Sequence, residues 1–207
     1  MEAGNCKIYL ITDRQLFKGE AELYTAIEEA LRAGVRMLQL REKGLKDRPL
    51  LAVAYKLREM TARFSARLFI NDRADIALCV GADGLHLGQV SVAPSVVRPI
   101  LKEGMQIGVS THSLQEATLA EQEGADFITF GPIYETPSKK AYGKPLGVEA
   151  LKEVVQRVKV PVFAIGGIKT HNAQAVLDAG AKGIALISGI LSEKDVYVAT
   201  KRFYNLN

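Results

Sequence analysis

The chain has 207 residues, 48% of them hydrophobic and 24% charged, with a net charge of +4. That is enough for one substantial core, and no Pro/Gly/Ser-rich linker divides residues 1–207 into two domains. Apolar runs fall far short of the roughly twenty residues that span a bilayer, and the N-terminus has no basic stretch leading into an apolar segment and cleavage site, so the expectation is a cytoplasmic protein with no membrane partner.

The first predicted strand, Ile8–Thr12, is followed by a helix over Glu20–Ala33, and strand Met37–Leu40 by a helix over Pro49–Phe64. Strand Leu68–Ile70 then leads to helix Ala74–Val80, strand Gly84–Leu87 to helix Pro94–Lys102, and strand Gln106–Val109 to helix Leu114–Glu123. Strand Phe127–Phe130 precedes the one long loop, Tyr134–Gly147, a candidate lid, and helix Val148–Val158. Strand Val162–Ile165, helix Asn172–Ala179, strand Gly183–Ile187 and a last helix toward Phe203 complete the series.

Gly34, Gly81, Gly124 and Gly180 each end a helical pattern just before an apolar run, as expected where a left-handed residue closes a helix and the chain turns into the core. The strands read as near-continuous apolar runs, the pattern of a parallel sheet covered on both faces. Eight such units in one chain of this length predict a compact (β/α)₈ barrel rather than an open doubly wound sheet.

In such a barrel, chemistry gathers in the loops after the strands. Gln39-Leu40-Arg41-Glu42-Lys43 stands there; if the strand continued, Gln39, Arg41 and Lys43 would share one face as a phosphate clamp, although an isolated Arg-Glu-Lys cluster is usually a solvated surface. Asn71-Asp72 and Ser110 also follow apolar runs, and Lys139 stands in the long loop. Several cations around one carboxylate suit a diphosphate with Mg²⁺, for which Asp72 would be the ligand; the plainer alternative is that Asn71 or Asp72 caps the helix at Ala74. Gly166-Gly167 after the seventh strand and Ser188-Gly189 after the eighth suit a monophosphate held by backbone N–H groups, or simply tight turns.

Cys6 and Cys79 give neither a disulfide framework nor a zinc spacing, and His86, His112 and His171 have no metal-ligand spacing, with His86 expected in the core. Lys and Arg are interspersed with Glu and Asp and lack interleaved aromatics, which favours small phosphorylated substrates over nucleic acid. Oligomeric state leaves no mark in the sequence.

Six segments together resemble the thiamine phosphate synthase family, in order and at matching spacings. They are Gln39-Leu40-Arg41-Glu42-Lys43, Ile70-Asn71-Asp72-Arg73, Gly84-Leu85-His86-Leu87-Gly88-Gln89, Gly108-Val109-Ser110, Gly131-Pro132-Ile133-Tyr134 through Lys139, and Ala164-Ile165-Gly166-Gly167-Ile168. The resemblance implies coupling of hydroxymethylpyrimidine diphosphate with hydroxyethylthiazole phosphate through an SN1-like pyrimidine methyl cation. It implies pyrimidine-diphosphate contacts at Gln39, Arg41, Lys43, Asn71, Ser110 and Lys139, with Arg41, Lys43 and Lys139 stabilising the departing diphosphate. Thiazole-phosphate contacts fall on Thr136, Ser138, Gly167, Ile187 and Ser188, and a Mg²⁺ ligand on Asp72.

One position departs from that pattern: the second metal-binding Asp falls on Ser91, a neutral hydroxyl. A thiazole tautomerase of the same superfamily is the enzyme alternative, although a histidine of that branch falls on Pro132. A non-catalytic thiazole-phosphate-binding regulatory barrel is the other.

Overall fold

The computed structural model describes residues 7–136 and 144–206. Eight parallel strands close into a barrel in sequence order: β1 (Ile8–Ile11), β2 (Met37–Leu40), β3 (Arg67–Asn71), β4 (Gly84–Leu87), β5 (Gln106–Thr111), β6 (Phe127–Phe130), β7 (Val162–Ile165) and β8 (Gly183–Leu186). Closure is made by β1 against β8, with Tyr9 opposite Ala185, as Tyr9 lies opposite Met37 on the other side. Helices α1 (Glu20–Arg32), α2 (Asp47–Arg63), α3 (Ala74–Val80), α4 (Pro94–Val97), α5 (Leu114–Gln122), α6 (Gly147–Arg157), α7 (Ala173–Asp178), α8 (Ser188–Leu191) and α9 (Val196–Tyr204) surround it. No helix among the described residues is long and apolar enough to cross a membrane.

Helix α1 shows how the outer layer forms. Leu23, Ala26, Ile27, Ala30 and Leu31 recur at helical spacing and are buried, while Gly34 at φ 120° turns the chain toward β2. Gly81, Gly124 and Gly180 have positive φ as well, so the four joints read from the sequence are real turns into the core.

The barrel interior is a separate cluster of Tyr9, Ile11, Met37, Phe69, Phe127, Phe163 and Ala185. Phe69 and Phe127 meet edge to face at 5.2 Å, and Tyr9 meets each of them at 5.5 Å. Rings of this size fit because their neighbours lack side chains: a Cβ on Gly84 would stand 2.5 Å from Phe69 Cε1, and one on Gly108 would overlap the Phe127 ring. At the N-terminal end Arg67 Nη1 donates to Gln106 Oε1 at 2.6 Å. Two staples tie helices to the strand entries nearby. Arg58 pairs with Asp83 at 2.5 Å and Arg98 with Asp126 at 2.7 Å, and each aspartate also accepts a backbone N–H, from Leu68 and Ile107 respectively.

Several boundaries differ from the sequence reading. The helix expected over Pro94–Lys102 stops at Val97 and continues as a 3₁₀ turn over Arg98–Ile100, because Pro99 brings no N–H to an α-helical bond. β5 runs on to Thr111, so Ser110 lies within the strand instead of after it, and Asn71 closes β3 in the same way. Two helices follow β8 where one was expected, since α8 begins directly at Ser188.

Candidate active site

β2 ends at Leu40, so the alternation expected through Lys43 does not continue. Gln39 points into the barrel and is 1% exposed, Arg41 is half-buried, and Lys43 is exposed in the loop. Buried Thr12, at the end of β1, accepts the Arg41 backbone N–H at 3.0 Å and so fixes the chain where it leaves the sheet. Glu42 is buried, and its two carboxylate oxygens accept the Arg14 backbone N–H at 3.0 and 3.2 Å. Burial pushes the Glu42 carboxyl above the usual range, opposed by hydrogen bonds from Thr12 and the Arg14 backbone.

Between β3 and α3 the chain makes a turn closed by Arg73 N–H on the Asn71 carbonyl at 2.7 Å, with Asp72 at φ 59°. A non-glycine residue in this left-handed region stores strain of about 1–3 kcal/mol, which the surrounding contacts must offset. Those contacts are specific: Asn71 Nδ2 donates to Asp72 Oδ2 at 2.7 Å, while Asp72 Oδ1 accepts the Ser91 hydroxyl and the Gly88 backbone N–H. Neither Asn71 nor Asp72 caps α3, whose N-cap position is Arg73 without a side-chain cap. Asp75, the next acid, is held in two hydrogen bonds by Arg73, which also binds Asp47.

Asp72 and Ser91, read as ligand and doubtful ligand, are therefore in direct contact. Their hard oxygens fit Mg²⁺, but a lone carboxylate with a hydroxyl fits only where phosphate oxygens and water complete the shell. Among the described residues no three His, Cys, Asp or Glu side chains gather as a metal cage.

Beneath these groups lies a buried polar file. Gln39 Nε2 donates to the Tyr9 hydroxyl at 2.9 Å, the Tyr9 oxygen lies 3.2 Å from His86 Nδ1, and His86 Nε2 lies 3.0 Å from Ser110 Oγ. Gln39 Oε1 is a buried polar atom with no partner. Burial pushes His86 down to about 3, with Asp72 opposing and Arg41 adding to the shift, and burial also raises the Tyr9 hydroxyl. Arg41 follows the end of β2 and Asp72 the end of the parallel β3, so the two residues stand at the same end of the barrel. His86 is a neutral core residue, as its place on a buried strand suggests. His112 instead donates its backbone N–H to Glu116 Oε2 at 2.8 Å, with Nδ1 of the ring 3.2 Å from the same oxygen.

Across the mouth, a cavity of about 580 Å³ is bordered by Thr136, Gly167, Ile187 and Ser188 together with Pro132 and Lys169. Gly166 and Gly167 have φ of 99° and 66°. A Cβ on Gly167 would stand 2.5 Å from the Glu135 carbonyl oxygen, so these glycines let the β6 loop lie directly on the β7 turn. That loop is tied down by Ile133 N–H to the Ile165 carbonyl at 2.9 Å, Tyr134 N–H to the Gly166 carbonyl at 3.0 Å, and the Tyr134 hydroxyl to the Asn172 carbonyl at 3.1 Å. Ser188 opens α8, in which the Ile190 and Leu191 N–H groups bond the Ile187 carbonyl while those of Ser188 and Gly189 stand at the helix start.

Four of the residues read as thiazole-phosphate contacts thus border one cavity, and Gln39, Arg41, Asn71, Asp72 and Ser110 gather at the β2–β5 strand ends. Lys43 is exposed in the loop after β2, and Ser138 and Lys139 lie outside the described residues. Sequence reasoning missed Tyr9, hidden in an apolar run, and Lys169, although it follows the Gly-Gly turn directly.

Comparison with known proteins adds an independent line. A family model described as thiamine monophosphate synthase matches residues 8–190. A putative thiamine-phosphate synthase of Geobacter sulfurreducens is 52% identical over 188 residues, 91% of this chain and 88% of that one. A thiamine-phosphate synthase of Clostridium novyi is 40% identical over 202 residues, 98% of each chain. The solved structure of a thiamine phosphate pyrophosphorylase from Pyrococcus furiosus superposes with a TM-score of 0.88 at 38% identity, covering 97% of this chain and 95% of that one.

Proposed function

The chain belongs to the thiamine monophosphate synthase family, and from that membership and the two-sided mouth we propose that it is a thiamine-phosphate synthase. It couples hydroxymethylpyrimidine diphosphate to hydroxyethylthiazole phosphate and releases pyrophosphate. The observation that carries the reading is the pairing, across one barrel mouth, of the Arg41/Asn71/Asp72/Ser110 side with the glycine-lined cavity at Gly167 and Ser188.

The bond from the pyrimidine methylene carbon to the diphosphate oxygen breaks with its electron pair leaving on oxygen. The thiazole nitrogen then gives its lone pair to the carbon, so no proton need move in the bond-forming step. What the protein must supply is stabilisation of the charge that develops on the leaving group, and Arg41, Lys43 and the Ser110 hydroxyl lie on that side of the mouth. Mg²⁺ held by Asp72, with Ser91 beside it, would neutralise part of the same charge when bound. The orphan Gln39 Oε1 on the floor is an acceptor that an amino group on the pyrimidine ring satisfies. The cavity on the β7–β8 side holds the thiazole phosphate and sets its nitrogen beside the carbon, the proximity contribution to the rate.

Pro132 lines that cavity where the tautomerase alternative uses a histidine, and it offers no proton-transfer group. The deciding assay supplies purified protein with both substrates and Mg²⁺ and follows thiamine phosphate. Its formation is expected. No product at any Mg²⁺ concentration rejects the synthase reading, and tight thiazole phosphate binding without turnover identifies a regulatory barrel instead.

A further inference from the structure

The file of polar groups under the mouth has a direction, and the direction decides what Ser110 offers to a ligand. We propose that Gln39, Tyr9 and His86 act as positioning residues that force the Ser110 hydroxyl to donate its proton upward into the mouth. The inference rests on the synthase reading only in naming a diphosphate as the anion that receives this bond.

All three supporting side chains are buried, Tyr9 at 0%, Gln39 at 1% and His86 at 2% exposure. The Tyr9 oxygen accepts the Gln39 N–H at 2.9 Å, so its own proton is directed to His86 Nδ1, 3.2 Å away. A neutral imidazole that accepts at Nδ1 carries its proton on Nε2. That N–H donates to Ser110 Oγ at 3.0 Å, and the Thr129 hydroxyl oxygen lies 3.4 Å from the same atom. With the His86 N–H donating to it from below, Ser110 has no acceptor in the file for its own proton; the Thr129 oxygen at 3.4 Å is too distant for a good O–H···O bond, and the proton is left for the mouth.

The reversed file would behave differently. If Gln39 turned its carbonyl to Tyr9, the Tyr9 proton would go to Gln39, His86 would carry its proton on Nδ1, and the Ser110 proton would be drawn down to Nε2. Ser110 would then present only lone pairs to an approaching anion, which repel it. The reversal would also bury the Gln39 amide N–H₂ without an acceptor, a costlier defect than the unpaired carbonyl now found there. Packing supports the observed direction as well. Tyr9 is wedged edge to face between Phe69 and Phe127, so its hydroxyl has little freedom to swing away from His86.

The direct test is the tautomer of His86 in the full chain at neutral pH, read by long-range ¹⁵N–¹H NMR with His86→Gln to assign the signals. A protonated Nε2 with a bare Nδ1 is expected, and a protonated Nδ1 overturns the proposal. A second measurement titrates inorganic pyrophosphate into Tyr9→Phe, which keeps the ring but removes the donor to Nδ1. Pyrophosphate affinity is expected to fall about tenfold, while inorganic phosphate binding to the β7–β8 cavity is unchanged. Unaltered pyrophosphate affinity in folded Tyr9→Phe overturns the proposal too, and if that variant does not fold the wild-type tautomer still decides. Because the tautomer is read without substrate, a failed coupling assay and a failed hydrogen-bond direction are separate results.

Discussion

On the β7–β8 side of the mouth the surface is built around a glycine turn, Gly166-Gly167, and the opening of α8 at Ser188, with Thr136 and Lys169 beside them, whereas on the β2–β5 side it is built from the side chains of Arg41, Asn71, Asp72 and Ser110. The first surface is shaped by what glycine omits, so its weakness is any added Cβ. The second is shaped by hydrogen bonds and charge, so its weakness is any change of donor, acceptor or protonation. On the proposed reading, one opening carries two anion sites with opposite vulnerabilities.

The strongest way to separate them is Asp72→Ala. Loss of the one carboxylate at the β3 turn is expected to lower turnover by about a hundredfold or more, the scale of lost metal and charge stabilisation. Thiazole phosphate affinity should be nearly unchanged, as calorimetry on the same preparation would show. An equal loss of both would mean that the two surfaces are one site.

Gly167→Ala probes the other side. At φ 66°, with the Glu135 carbonyl in the way, alanine brings about 1–3 kcal/mol of backbone strain and displaces the β6 loop. Thermal melting should fall by roughly 5 °C, and thiazole phosphate affinity should drop while pyrophosphate affinity is kept. Retention of thiazole phosphate affinity would remove the glycine turn from the phosphate site.

Glu42→Gln is the mildest test and reads pH. The Glu42 carboxyl is raised in the folded protein, so its contribution to stability is fully present below its ordinary value of 4.5 and is lost as pH rises through the higher folded value. Glutamine keeps one acceptor for the Arg14 N–H but has no charge to bury, so melting temperature should depend less on pH just above 4.5 than in the wild type. Parallel pH curves for the two proteins would contradict this account of Glu42.

The contrast also explains what could be read from the sequence. Apolar runs such as Phe127–Phe130 and Val162–Ile165 mark strands because both faces are buried, and glycines such as Gly81 and Gly124 mark joints because a left-handed turn needs them. The turn at Gly167 was legible for the same reason, since a positive φ leaves glycine in the sequence. The side-chain surface was legible in residue type but not in direction. β2 ends at Leu40, and no periodicity announces that ending; beyond it Glu42 is buried on the Arg14 backbone N–H. Tyr9 looked like another apolar strand residue, and the roles of Gly84 and Gly108 lie in rings contributed by β3 and β6, far away in the chain. Such pairings exist only once the barrel has closed.

The most direct test of two separate anion sites at one mouth is a calorimetric titration of inorganic pyrophosphate with Mg²⁺ into protein already saturated with hydroxyethylthiazole phosphate. One further equivalent should bind without displacing the thiazole phosphate. Release of thiazole phosphate as pyrophosphate enters would show a single shared site and contradict the account.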